Sequence, residues 1–214
     1  DAIEFHENSD EEDKLVIFHH HIDVGDHLQN GDYSKTFEGL DSWLVKNGYN
    51  KTLRLFGGRS SDERNDIQQK FKDDIRNRIC IASTLASGEG LNLQFCQNVM
   101  QIERQWNPQN EEQAELRFSR PLTRGDLPPY LQDHLLDAEG KQKKKSIRVP
   151  YFIADGTVDT MLTEIVERKR TNFNKSMNKG QENIKWEENE IMNELAEMIM
   201  KKRFGSKTAE VVMR

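Results

Sequence analysis

What this sequence has little of narrows its function first. It has two cysteines, Cys80 and Cys96, each in apolar or amide-rich surroundings with no second ligand pair nearby. We read from this a reducing compartment and no zinc site, and neither thiol is a candidate nucleophile. There is no excess of positive charge: 31 Lys and Arg stand against 37 Asp and Glu, a formal net charge of −6. Binding nucleic acid through bulk charge is thereby excluded, and any such contact has to be local. No apolar run approaches the roughly 20 residues of a membrane span, so no membrane partner is expected. The opening "DAIEFHENSDEEDK" is too acidic for a signal peptide. There is no initiator methionine either, which leaves open whether the chain is a piece of a longer polypeptide.

What is present suffices for one proper core. At 214 residues and 35% hydrophobic content, a single domain with an appendage is the default expectation. Charge is unevenly spread: 1–13 is strongly acidic, while 141–148 and 168–179 are basic. Short β-branched runs alternate with helical periodicity, the pattern of a parallel sheet wrapped by helices. The strand candidates are "KLVIFHH", "TLRLF", "RICIAS", "NVMQIE" and "IRVPYFI". Between the first two, Phe37, Leu40 and Leu44 fall at helical spacing and Asn47-Gly48 is a stop signal. Between the next two, Ser60 and Glu63 form a capping-box pattern ahead of a helix whose Ile67 and Phe71 make an i,i+4 core pair. From 122 to 146 the pattern dissolves into Pro128-Pro129 and "EGKQKKK", read as an insertion with at most a short helix. Beyond it, "TVDTMLTEIVERKR" is helical, and "KWEENEIMNELAEMIMKK" is a second amphipathic helix carrying Ile191, Leu195, Met198 and Ile199.

In an open parallel sheet, ligands sit beyond the carboxyl ends of the strands, so the loops there are where chemistry is expected. After "RICIAS" comes "TLASGEGLNL", whose Gly88 and Gly90 let the backbone approach a phosphate. After "TLRLF" comes "GGRSS", with two glycines, a cation and hydroxyls. After "NVMQIE" come Trp106, Asn107 and Pro108, and then a helix expected to bear Arg117 and Arg120 on one face, since they are i and i+3.

Taken in order, "LVIFHHHIDVGDHL", "RLFGGRSSDERNDIQQKF", the stretch from "ICIASTLASGEG" to "RQWNPQNEEQAELRFSR", and "GTVDTMLTEIVERKR" resemble the second RecA-like lobe of superfamily-two helicases. The likeness is to the Swi/Snf-type ATPases and covers roughly residues 14 to 121 and 147 to 170. It implies an α/β fold: a RecA-like lobe with a parallel β-sheet flanked by helices, plus a helical C-terminal extension. The implied segments are an acidic disordered or linker segment at 1–13, the lobe at 14–121, an insertion at 122–146, a closing strand and helix at 147–175, and the extension at 176–214.

The resemblance also implies a function. The chain would be the C-terminal lobe of an ATP-dependent translocase or helicase acting on double-stranded nucleic acid, with DNA preferred to RNA. Two lobes of this family clamp ATP and magnesium between them, so the first partner is another RecA-like lobe, in the same polypeptide or a separate chain. Arg120 resembles the arginine finger and Arg117 its companion, while Gly88, Glu89 and Gln113 are implied on the ATP side. A guanidinium suits this role because it forks onto phosphate oxygens and offsets charge as the γ-phosphoryl leaves. His19, His20, Gly57, Gly58, Arg59, Ser83, Thr84 and Ser87 are implied on the nucleic-acid backbone. No Gly-x-x-x-x-Gly-Lys-Ser/Thr loop or Asp-Glu-x-His box is present; in this family both belong to the first lobe, so the chain alone is expected to hydrolyse little or no ATP.

Each of these residues also has an ordinary structural reading. Arg117 and Arg120 could be surface cations pairing Glu111, Glu112 or Glu115. His19, His20 and His21 make a poor chelate, because adjacent strand residues point to opposite faces, but His19 and His20 could be core or edge histidines. Gly57, Gly58 and Arg59 could simply turn the chain. Trp106 is read as packing rather than base stacking, and the lysines at 141–145 as a solvated loop. Two rivals remain: an RNA helicase lobe, and a binding or regulatory module that kept the fold and lost the motor. Either way the expected setting is intracellular and reducing, in nucleus or cytoplasm, with a viral source also compatible.

Overall fold

The computed structural model describes residues 9–19, 40–49, 52–55, 59–84, 91–143, 147, 149–177 and 188–204. The chain divides into two compact units, Asp1–Ile102 with Gln113–Pro150, and Glu103–Glu112 with Tyr151–Arg214.

In the first unit, β1 (Leu15–His19), β2 (Thr52–Leu55), β3 (Ile79–Ser83) and β4 (Asn98–Gln101) form one sheet in the order β2-β3-β1-β4. Every pairing is parallel. Strands β1 and β3 are buried along their whole length, which is why they read as unbroken apolar runs rather than as alternation. Val16, Phe18, Cys80, Ala82 and Val99 feed one hydrophobic cluster, whereas Leu15, Ile17, Ile79 and Ile81 feed a second. That split follows the period of two along each strand.

Helix α1 (Leu40–Lys46) adds Leu44 to the second cluster. It stops at the expected place: Gly48 takes a φ of 91°, and the Tyr49 N–H turns back to Leu44 O at 3.0 Å. A left-handed residue just past the helix frees the chain to reverse, and glycine pays no Cβ penalty there. Helix α2 (Ser61–Asp73) opens with the expected capping box. The Glu63 N–H donates to Ser60 Oγ at 3.2 Å, and the Glu63 carboxylate accepts the Ser60 N–H at 2.8 Å. Its Phe71 is buried in the first cluster with its ring 5.5 Å from that of Phe95, and Ile67 packs alongside.

One expectation is corrected. Among the described residues the run "IRVPYFI" supplies no fifth strand to the sheet, and Tyr151 makes a bridge there rather than a ladder. Pro150 has no N–H to donate to a ladder, and its carbonyl accepts the Gln101 N–H at 2.9 Å. The stretch after Leu122 carries the short helix allowed for it, and its leucines reach the core. A 3-10 turn over Arg124–Asp126 and helix α4 (Pro129–Leu135) place Leu127, Leu131, Leu135 and Leu136 in the first cluster. Proline at the first position of α4 is harmless, because that N–H has no helical partner.

The second unit holds α5 (Val158–Met177) and α6 (Glu188–Phe204). Leu162, Ile165 and Val166 of α5 bury against Ile191 and Leu195 of α6, with Trp106, Met161 and Met198 around them. Trp106 therefore packs, as expected. Ile199 differs from the amphipathic reading, because it remains exposed. No described helix is long and apolar enough to cross a membrane.

Candidate functional site

The parallel register brings the carboxyl ends of the strands into one row. His19 pairs with Ser83, and Phe18 with Gln101. The Thr84 N–H donates to His19 O at 3.2 Å, carrying the β1–β3 pairing one residue past the strand. His19, Ser83 and Thr84 are thus gathered at the loop end of the sheet, all buried. Arg59 is exposed and stands immediately before the Ser60 cap of α2. Hydrogen bonds from Ser60, first its backbone N–H and then its hydroxyl, lower the Glu63 pKa, and the Arg59 charge adds to this. His20, Gly57, Gly58, Ser87, Gly88 and Glu89 lie outside the described residues.

The motif Trp106-Asn107-Pro108 has a local explanation. Asn107 caps the next helix: its Oδ1 accepts the Gln109 N–H at 3.0 Å and its carbonyl accepts the Asn110 N–H at 3.1 Å. Pro108 then occupies the first helical position, where no N–H is needed. Helix α3 (Pro108–Leu116) carries Gln113, which is exposed.

Helix α3 ends one residue before the first arginine. The Arg117 N–H bonds to Ala114 O at 3.2 Å and the Phe118 N–H to Glu115 O at 3.1 Å, three-residue spacings that tighten the last turn. Arg117 and Arg120 therefore do not share a helical face, which corrects the i,i+3 expectation. Arg117 is half-buried, with its Nε fully enclosed. Next to it Phe118 is buried, edge-on to Phe18 with centroids 5.8 Å apart. Arg120 is exposed, and its Nη1 donates to Asn92 Oδ1 at 2.8 Å. Asn92 donates its own N–H to Gln68 Oε1 of α2 at 2.9 Å. Asn92 was not a candidate on sequence grounds. It lies 28 residues from its arginine, and only its place just after "GEG" hinted at the site.

The groups described here are an exposed guanidinium held by an amide, a half-buried guanidinium three residues before it, and an exposed carboxamide on α3. A pair of guanidiniums with this exposure can neutralise and fork phosphate oxygens.

The model of the helicase conserved C-terminal domain matches residues 2–121. The chain belongs to that family. Within the family it is the second RecA-like lobe of the superfamily-two helicases, of Swi/Snf type. The human DNA annealing helicase and endonuclease ZRANB3 is 29% identical over 175 residues, covering 82% of this chain and 13% of that protein. The transcription regulatory protein SNF2 of Saccharomyces cerevisiae is 41% identical over 71 residues, covering 33% of this chain and 4% of that protein. Among solved structures, the C-terminal part of the Fun30 ATPase domain superposes with a TM-score of 0.52 at 25% identity, over 72% of this chain and 39% of that one. This helicase lobe thus spans a small fraction of the curated relatives it matches.

Proposed function

We propose that this lobe completes the ATP site of a DNA translocase or helicase, with Arg120 as the arginine finger, Arg117 as its companion and Gln113 at the same cleft. A first RecA-like lobe is the partner that holds most of the nucleotide. When bound there, ATP with its magnesium ion supplies the γ-phosphoryl group whose transfer to water drives movement. The residues present fit the phosphate end of such a ligand. Arg120 uses one N–H on Asn92, and a guanidinium has five, so further donors are available to phosphate oxygens. The absence of a phosphate loop and an acidic box from the sequence fits a division of labour in which the first lobe carries both.

The remaining candidates serve the grip on nucleic acid. Arg59, with Gly57, Gly58, His19, His20, Ser83, Thr84 and Ser87, is assigned to a sugar-phosphate backbone, and such contacts position a motor without reading sequence. The loop between Ser83 and Asn92 connects the two tasks, since Ser83 ends a strand at the grip and Asn92 holds Arg120. The relatives include a DNA annealing helicase and a probable ATP-dependent DNA helicase, which favours DNA as the track. The setting that suits DNA and two free, buried thiols is a reducing one inside the cell.

The observation that carries this reading is Arg120, exposed yet held at one N–H by Asn92. Its test is steady-state ATPase with saturating DNA in the two-lobed polypeptide. Arg120→Lys keeps the charge and loses the fork, so kcat is expected to fall far more than ATP affinity. Unchanged turnover in a normally folded Arg120→Lys variant would make these arginines surface cations.

A further inference from the structure

The second unit contains an ion network, buried at Arg104 and Glu111, that none of the candidate roles uses. Glu111, on the first half of α3, is fully buried and accepts four hydrogen bonds. Arg104 forks onto it, Nε to Oε1 and Nη2 to Oε2, both at 2.9 Å. The backbone N–H of Gln105 reaches Oε1 at 2.7 Å, and Arg170 Nη2 of α5 reaches Oε2 at 3.0 Å. Arg104 is itself held three ways, by Glu111, by Glu167 Oε1 at 2.7 Å and over the Tyr151 ring at 4.3 Å. Arg170 completes the ring with Tyr151 Oη at 3.5 Å and Glu167 at 3.9 Å. Two guanidiniums and two carboxylates cancel.

Such a network is a poor choice for stability alone, because taking charges out of water costs about as much as their attraction returns, and apolar side chains would pack as well. What it supplies is a unique register. Apolar packing tolerates a helix that slides or rolls; a carboxylate bonded at both oxygens from three directions does not. Here the three directions are the chain leaving β4, the Gln105 backbone and α5, and the object they fix is the first half of α3. The same short helix runs on to Gln113 and delivers the chain to Arg117 and Arg120.

We propose that Glu111 is a positioning residue for ATP hydrolysis: clamped by Arg104 and Arg170, it sets the register of the helix that leads into the turn bearing the arginine pair. The proposal rests on the reading of Arg120 as the finger. Arg170 is the rim of the clamp, partly exposed on α5, and through it the α5–α6 pair bears on the rate.

The experiment uses the complete polypeptide carrying both lobes, with saturating DNA, and measures kcat, the KM for ATP and thermal unfolding. Glu111→Gln keeps the shape and removes the charge. It is expected to lower kcat about 10- to 100-fold, the scale of a small misplacement of a catalytic group, with little change in KM. A double variant, Glu111→Gln with Arg120→Lys, is expected to be no slower than Arg120→Lys alone, because both changes disable one element. A merely structural glutamate would instead multiply the two losses, and that result overturns the proposal. Should Glu111→Gln fail to fold, Arg170→Lys at the rim carries the test. It is expected to lower kcat several-fold with an unaltered melting temperature, and normal turnover in it overturns the proposal. If Arg120→Lys is slow while Glu111→Gln and Arg170→Lys are normal, the clamp is wrong and the finger stands. If Arg120→Lys turns over normally, both fall.

Discussion

Arg120 Nη1 donates to Asn92 Oδ1 at 2.8 Å, joining the residue read as the finger to the segment that follows the glycine-rich loop. Because Asn92 also donates to Gln68 of α2, a long and exposed side chain is given one direction. Loss of the amide should therefore cost orientation more than stability. Asn92→Ala is expected to lower kcat several-fold in the two-lobed protein. The melting temperature should hardly move, since exposed polar pairs contribute about 0.2–1 kcal/mol. A turnover equal to wild type would show that Asn92 merely accompanies the arginine.

Arg59 stands exposed before the α2 cap, where a phosphate contact would be electrostatic and indifferent to base sequence. Plotting log K against log salt for DNA binding by the intact motor, Arg59→Ala is expected to flatten the slope by about one contact. Affinity should drop about equally on unrelated sequences. A strong base preference that persists in high salt would argue for direct readout instead.

Stability should pass through a maximum close to pH 9. Lys14 is buried at the start of β1, with Nζ on the carbonyls of Asp74 at 3.1 Å and Asn77 at 2.9 Å and over the Phe71 and Tyr130 rings. Burial pulls its pKa down from 10.5 to about 8, against the upward pull of Cys96 and Asp74. Between those values the unfolded chain holds a proton that the native chain has released, so stability rises with pH. The thiols work in the opposite sense. Burial pushes Cys96 up from 9.0 to about 12 and Cys80 higher still, so above pH 9 the unfolded chain loses protons that the native chain keeps. Two thiols outweigh one ammonium and stability falls. Urea midpoints between about pH 7 and 11 should trace this shape. Lys14→Met should abolish the rise, and Cys80→Ala with Cys96→Ala should delay the fall to about pH 10, where burial also keeps the Tyr130 phenol protonated in the native chain; a steady decline from pH 7 in wild type would contradict the assignment.

Leu131 is completely buried although it belongs to a stretch that reads as an insertion with at most a short helix. Leu131→Ala is expected to destabilise by about 2–5 kcal/mol, the cost of a core cavity, seen as a lower urea midpoint at unchanged slope. A loop residue would change stability by no more than about 0.5 kcal/mol.

Sequence alone determined what depends on near neighbours. Leu15–Phe18 and Ile79–Ala82 are legible as strands because a strand buried on both faces has to be apolar throughout. The Ser60–Glu63 box and the Asn47-Gly48 stop are legible because helix ends are satisfied within a few residues. The order of loops and arginines likewise pointed to a RecA-like lobe before any fold was known.

Tertiary structure alone decided the pairings between distant residues. Helical periodicity allowed Arg117 and Arg120 to share a face, but α3 stops at Leu116, and the two become a half-buried and an exposed guanidinium. Leu127, Leu131 and Leu135 do repeat every four residues, yet proline and lysine around them masked a face whose partner is the sheet. Glu111 looked like one more exposed helix carboxylate, and its partner Arg170 lies 59 residues away. A charge shows in sequence only that it must be solvated or paired. Which guanidinium pairs with it is settled when packing closes off the water that would otherwise do the same work.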